Sequence, residues 1–183
     1  TYTTIEAPEL RHFDQDMQDE VSKVLAKELS SLIQLDKDKT ALVVGLGNWN
    51  VTPDALGPKV VSRLMVTRHL KQLMSDEIDE GIRPVCALSP GVLGLTGIET
   101  SEIIQGVVKK IKPDIILVID ALASRKMSRV STTIQIGNTG ISPGSGVGNK
   151  RMGLNEKILG VPVIAIGVPT VVDAATMAND TID

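Results

Sequence analysis

Two aspartates hold positions where a carboxylate is costly unless it does something. Asp120 follows the apolar run Ile115–Ile119, at what reads as the carboxyl end of a buried strand. A small or apolar residue would ordinarily close such a strand, because removing a carboxylate from water is expensive. Asp54 lies in the stretch Gly45–Pro58 (GLGNWNVTPDALGP), directly after the first buried strand. Each acid also has a plain structural reading. Asp120 can cap the turn through Ala121 and Leu122, and Asp54 can be an acid in a first helical turn, favoured by the macrodipole. Taken together they say more, since both project beyond strand ends and can face one cleft. Two carboxylates that share one proton offer an acid and a base at once, which is the equipment of peptide hydrolysis.

Other candidates are weaker on spacing. Gly45-x-Gly47 lacks the third glycine of a dinucleotide fingerprint, with Asn50 in its place. In Pro143–Lys150 (PGSGVGNK) Asn149 precedes the lysine and Arg151 follows it, so no Walker A loop is formed. Gly144, Ser145, Gly146 and Gly148 can still present backbone N–H groups to a substrate carbonyl or anion, or simply form a flexible turn. Ser145 is no nucleophile elbow, because Pro143 stands where a glycine is required. His12 and His69 are remote in sequence from these loops and have no third partner near them.

The elements that must position the aspartates can be read from hydrophobic periodicity. Gln15 to Leu35 carries apolar residues at Met17, Val21, Val24, Leu25, Leu29, Leu32 and Ile33, one stripe of an amphipathic helix. Thr40–Leu46 is a compact apolar strand, and a helix is expected to begin near Pro53–Asp54 and run towards Leu73. Val85–Leu88 reads as a strand, followed by the glycine-rich loop Pro90–Gly97. Thr96-x-x-Glu99 has the form of a capping box, opening a helix to about Ile111 that Pro113 ends. Asp114–Ile119 is a buried strand, Val130–Ile136 a half-exposed one, and Val161–Gly167 another buried one after a short helix near Asn155–Leu159. The first residues, Thr1–Ile5, are strand-like, and Val171–Asp183 is apparently helical. Apolar strands alternating with helices predict an α/β fold, three layers α/β/α with a mostly parallel central sheet. In such sheets ligands collect beyond the carboxyl ends of the strands, where both aspartates fall.

The bulk numbers fit a single domain of residues 1–183 with a sizeable core, 42% of the chain being apolar. Aromatics are limited to Tyr2, Phe13 and Trp49, so base stacking is not a binding mode, and 22 acids against 19 bases argue against a generic nucleic-acid binder. The single cysteine, Cys86, excludes an internal disulfide and reads as a buried structural thiol. With no membrane-length apolar run and no signal peptide, a reducing cytoplasm is expected. Both ends look cut, and a piece of a longer protein is expected.

Gly45–Pro58, Ser89–Ser101 (SPGVLGLTGIETS), Ile119–Ala123 (IDALA), Gly140–Arg151 (GISPGSGVGNKR) and Val161–Ala174 (VPVIAIGVPTVVDA) closely resemble the germination protease family of endospore-forming bacteria. The likeness runs across essentially the whole chain. It implies an endopeptidase that degrades small acid-soluble spore proteins in the spore core, made as a precursor with a propeptide and assembled as a tetramer. The two functional aspartates of that family fall on Asp54 and Asp120. The family is distantly similar to hydrogenase-maturation endopeptidases, which hold a metal with two acids and a histidine. No histidine here occupies an obvious third position, so neither metal nor cofactor is expected. Where the family loop can carry an aspartate and a histidine, this chain has Asn138 and Ser142. A metal-dependent maturation-type peptidase and a non-catalytic binding or assembly module are the rival readings.

Overall fold

The computed structural model describes residues 1–12, 14–74, 77–79, 81–142 and 152–182, without side chains at 11–12 and 179–182. Six strands form one sheet in the order β1-β5-β6-β4-β2-β3: β1 Tyr2–Glu6, β2 Ala41–Gly45, β3 Val85–Leu88, β4 Ile115–Ser124, β5 Thr133–Gly137 and β6 Val163–Val172. The neighbours β6, β4, β2 and β3 run parallel, and β5 and β1 are added antiparallel at one edge. All five residues of β2 are buried, as a strand covered on both faces requires. The helices are α1 Gln15–Leu32, α2 Leu56–Arg63, α3 Arg68–Leu73, α4 Leu93–Thr96, α5 Thr100–Ile111, α6 Glu156–Leu159 and α7 Ala174–Ile182. One face of the sheet (Leu42, Val44, Ile116, Val118, Val163) packs on Ile104 and Val108 of α5 and Leu159 of α6. The other (Ala41, Val43, Ile115, Ile119, Ile164, Ile166) packs on Leu25, Leu29 and Leu32 of α1 and on Leu56, Val60 and Val61 of α2. The expected three-layer α/β/α class with a mostly parallel sheet is what is found.

Several boundaries differ from expectation, each for a tertiary reason. The helix expected from Pro53 to Leu73 is broken into a 3-10 turn, Thr52–Asp54, and the helices α2 and α3. At the break Thr67 is tied to the start of β3: its N–H donates to the Val85 carbonyl (2.9 Å), its hydroxyl donates to the Arg83 carbonyl (2.5 Å), and its Oγ1 accepts from the Val85 N–H (2.9 Å). Those bonds hold the chain out of the helical path: Leu64 is extended (φ −76°, ψ 134°), and Thr67 (φ −125°, ψ −13°) lies outside the helix as well. Thr96 does not open a helix but ends α4. The box lies three residues on, where the Glu99 N–H donates to Glu102 Oε2 (3.2 Å) at the start of α5. The strand expected from Val130 begins at Thr133, after a 3-10 turn at Met127–Arg129.

The change that matters most is in β4 and β6. Both are ten residues long and continue together well past Gly45, where β2 stops opposite Ile119. Ala121-Leu122-Ala123-Ser124 has modest strand preference of its own. Its partner Val168–Val172 is rich in β-branched residues, and the pairing imposes the strand. Between Leu122 and Ala123 the register slips by one, leaving Thr170 as the extra residue of a β-bulge.

Candidate active site

Asp120 is the sixth of ten residues in β4, opposite Gly167 of β6. It is therefore no cap of a following turn. It sits where β4 loses β2 as a neighbour, so the carboxyl group is at the edge of the four-strand parallel core although the strand runs on. Its side chain is only 7% exposed. Burial, and secondarily the negative charge of Asp54, push its pKa from 3.8 up to about 7, against a weaker pull from the Ala121 N–H.

Asp54 is delivered to that edge by the chain after β2. The Leu46 N–H donates to the Ile119 carbonyl (2.8 Å), adding one more bond beyond the last pair of the β2–β4 ladder. Gly47 then turns with φ +114°, and a Cβ there would collide with the Asp54 carbonyl oxygen. Only glycine meets both conditions. The Asn48 N–H donates to Asp54 Oδ2 (2.8 Å) and is also 3.1 Å from the Asp54 carbonyl oxygen, while Asn48 Oδ1 accepts from the Asn50 N–H (3.0 Å). The segment Asn48–Asp54 is thus a closed, self-bonded turn with Trp49 at its exposed tip. Gly45 and Gly57 touch backbone to backbone, since a Cβ on Gly45 would collide with the Gly57 carbonyl and one on Gly57 with the Leu46 carbonyl. That approach seats the start of α2, and with it Asp54, against the end of β2. Thr170, re-aimed by its bulge, donates from Oγ1 to the Pro53 carbonyl (2.6 Å) and pins the turn from the β6 side.

The two sequence-nominated acids are brought to one edge, near enough that the charge of one raises the pKa of the other. Gly144, Ser145, Gly146 and Gly148 lie outside the described residues. The alternative glycine loop follows β3 and carries α4, with Leu95 and Ile98 exposed. His69 is on α3, beside β3 and two strands from β4. His12 has no described side chain. Asn138 follows β5 at the end of the sheet opposite to the one reached by Ser124 and Val172. Cys86 is half-buried on β3, its thiol 3.6 Å from the Ala41 carbonyl and its pKa raised by burial. Among the described residues no three His, Cys, Asp or Glu are grouped as metal ligands, and no helix is long and apolar enough to cross a membrane. Sequence reasoning missed Thr170 and Asn48. The first depends on a bulge that periodicity does not reveal, whereas the Gly-x-Gly-Asn turn was a usable signal for the second.

With the geometry in hand, known proteins give the context. A germination protease of Clostridium tetani is 70% identical over 182 residues, covering 100% of this chain and 56% of that protein. One from Bacillus subtilis strain 168 is 60% identical over 185 residues, covering 100% of this chain and 50% of that protein. The chain thus spans about half the length of the curated relatives it matches. Among solved structures, an uncharacterized protein from Wolinella succinogenes aligns with a TM-score of 0.36 at 14% identity, over 79% of this chain and 90% of that one, too distant a likeness to carry an argument. The family model described as germination protease matches residues 1–183. The chain belongs to the germination protease family.

Proposed function

We propose that this chain is the catalytic core of an endopeptidase that degrades small acid-soluble spore proteins during germination, with Asp54 and Asp120 as its working pair. The observation that carries the reading is a buried aspartic acid, protonated over much of the range up to neutrality, beside a second carboxylate at the carboxyl edge of the sheet. The pair also divides the labour. Asp120 holds the proton and donates a hydrogen bond to the scissile carbonyl. Asp54 Oδ2 is occupied as an acceptor of the Asn48 N–H, and its other oxygen is left to take a proton from the attacking water. Water gives a proton to Asp54 as its oxygen adds to the carbonyl carbon, and Asp120 gives its proton to the carbonyl oxygen; on collapse of the tetrahedral adduct the amine leaves with the proton gathered by Asp54, and a hydroxyl proton of the adduct returns to Asp120. Backbone N–H groups of the Gly144–Gly148 or Gly91–Gly97 loop complete the oxyanion site in this scheme.

The test is cleavage of a small acid-soluble spore protein by the full-length processed enzyme, with Asp54→Asn and Asp120→Asn beside it. Loss of cleavage in both single variants, with the double variant no worse than either, is expected of two groups acting as one unit. Substantial activity in either single variant refutes the two-aspartate reading, and metal analysis of chelator-free protein separates it from the metal-dependent rival.

A further inference from the structure

Asp120 shares its face of the sheet with the first turn of α5. Ile116 and Val118 pack on Ile104 and Val108 of that helix, while Ile115 and Ile119 belong to the opposite layer. Side chains alternate along a strand, so Asp120 falls on the α5 side. The chain leaves β3 at Leu88, enters α5 at Thr100 and leaves it at Ile111, just before β4 begins at Ile115. α5 therefore runs against the parallel strands. Its first turn lies at their carboxyl edge, where β2 stops and Asp120 sits. Ser101 belongs to that turn. It precedes Ile104 by three residues and Val108 by seven, the spacing of one helical stripe, which puts it on the side facing the sheet. Its burial agrees, at 3% exposed.

Among the described residues Ser101 Oγ has no hydrogen-bond partner. A hydroxyl taken out of water and left unbonded is costly unless something arrives to accept from it. Serine in a helix commonly bonds back to a carbonyl three or four residues earlier, but here those positions precede α5. The Ile98 carbonyl accepts from Thr96 Oγ1 (3.0 Å), and Gly97 is turned into the left-handed region (φ +68°) as the cap of α4. The turn that carries Ser101 is fixed. The Glu99 N–H donates to Glu102 Oε2 (3.2 Å), the Glu102 N–H donates back to the Glu99 side chain, and the Thr100 hydroxyl is 3.5 Å from the Gly91 carbonyl. The N–H groups of Thr100 and Ser101, the first two of a twelve-residue helix, have no acceptor within it. They and the helix dipole favour an oxygen that gathers negative charge. We infer that Ser101 touches the substrate, its hydroxyl donating to the scissile carbonyl oxygen from the α5 side while Asp120 donates from the strand. This rests on the proposed peptidase reading and gives that reaction a third side chain. Ser101 keeps its hydrogen throughout, so the protons exchanged by the two aspartates are unaffected. The interaction is one neutral hydrogen bond that strengthens as the oxygen gains charge, worth about tenfold in rate.

The test uses full-length processed enzyme cutting a small acid-soluble spore protein. Ser101→Ala is expected to lower kcat about tenfold with KM within about twofold of wild type. Ser101→Cys, nearly the same shape but a weak donor, should lose as much. Denaturant unfolding should find Ser101→Ala as stable as wild type or more so, because the unbonded hydroxyl is gone. The decisive readout is binding of two uncleavable peptides built on the residues around the bond that the enzyme cuts. One carries CH(OH)–CH2 in place of the scissile amide and the other CH2–CH2, so they differ by a single oxygen. Ser101→Ala should bind the hydroxyl peptide about tenfold more weakly and the other one unchanged. If that variant does not fold, Ser101→Cys reads the same contrast. Unchanged kcat overturns the inference, as does equal weakening of both peptides, which would make Ser101 a packing residue. Cleavage by wild type that is indifferent to Ser101 sinks only this inference. Failure of wild type to cleave the spore protein sinks the peptidase reading and Ser101's role with it.

Discussion

Replacing Asp120 by asparagine should change stability in a way that depends on pH with a definite sign. The folded protein holds the Asp120 proton up to about pH 7, whereas the unfolded chain releases it near 3.8. Below pH 3.8 both states are protonated and the carboxyl group costs nothing extra. Through the window from 3.8 to about 7 the unfolded state binds fewer protons than the folded one, so stability falls as pH rises, by about 1.4 kcal/mol per pH unit. Above about pH 7 both states are ionised and the penalty is level, on the order of 4 kcal/mol in all. The asparagine of the variant cannot ionise and escapes the penalty. Its amide brings its own hydrogen-bond demand, but that cost is the same at every pH. The quantity to measure is therefore the difference in unfolding free energy between Asp120→Asn and wild type, by denaturant titration of the full-length protein from pH 4 to pH 8. It should grow in favour of the variant across that range and then flatten. With a slope of about 1–3 kcal/mol per molar urea, even half the expected effect moves the midpoint by roughly 1 M. A difference that is constant with pH, or one that favours the wild type as pH rises, would show that Asp120 is not a buried acid held neutral, and the proton-donor role would fall with it.

The same titration on Asp54→Asn should show the level region beginning at a lower pH, because the Asp54 charge is the second cause of the Asp120 shift; an unchanged endpoint would mean that the two carboxyls do not interact. Thr170→Val removes the hydroxyl that holds the Pro53 carbonyl and should lower kcat severalfold with KM little changed, at a stability cost of about 1 kcal/mol. A rise in KM alone would mean that the bulge serves binding and not the placement of Asp54. Thr67→Val leaves the Val85 N–H without its acceptor and the Arg83 carbonyl without its donor, so it should cost about 1–3 kcal/mol in a denaturant melt while sparing kcat. A loss smaller than ~0.5 kcal/mol would mean that the break between α2 and α3 is set by the sequence around it and not by this tether.

Much of the scaffold is legible in the sequence. β3 falls on its expected residues and β2 within one of its expected ends, because a parallel strand buried on both faces is a bare apolar run with polar or glycine borders. Asp120 was legible for a related reason, as a charge at the end of such a run, and Asp54 because Gly47, Pro53 and Gly57 mark a chain forced to turn in tight quarters. What escaped was set by pairing between distant segments. The extension of β4 through Ser124 depends on Val168–Val172, and the bulge at Thr170 depends on the slip between those two strands. Neither leaves a periodic trace. Helical periodicity carried past Thr67, because the tether to β3 that interrupts it is a contact 18 residues away. Lys126 and Arg129 fall between two expected strands with no pattern of their own, and only the closing of β1 against β5 gives them a shared cleft.

That closing sets an order of assembly. β1 pairs with a strand made much later, from Glu6 with Thr133 at the near end to Tyr2 with Gly137. At ~5–20 residues per second a ribosome takes roughly 7–26 s to make the partner after the first strand is out. Through that interval β1 has no ladder to join, while the β2–β4 core can already form. The aspartate pair belongs to β4 and the turn after β2, whereas the Lys126–Arg129 cleft is walled by Glu6 and Pro8 and is finished only when β1 docks. The acid pair and the cleft are thus completed by different events. Hydrogen exchange should find β1 and its cleft opening at lower free energy than the strands that carry the acids.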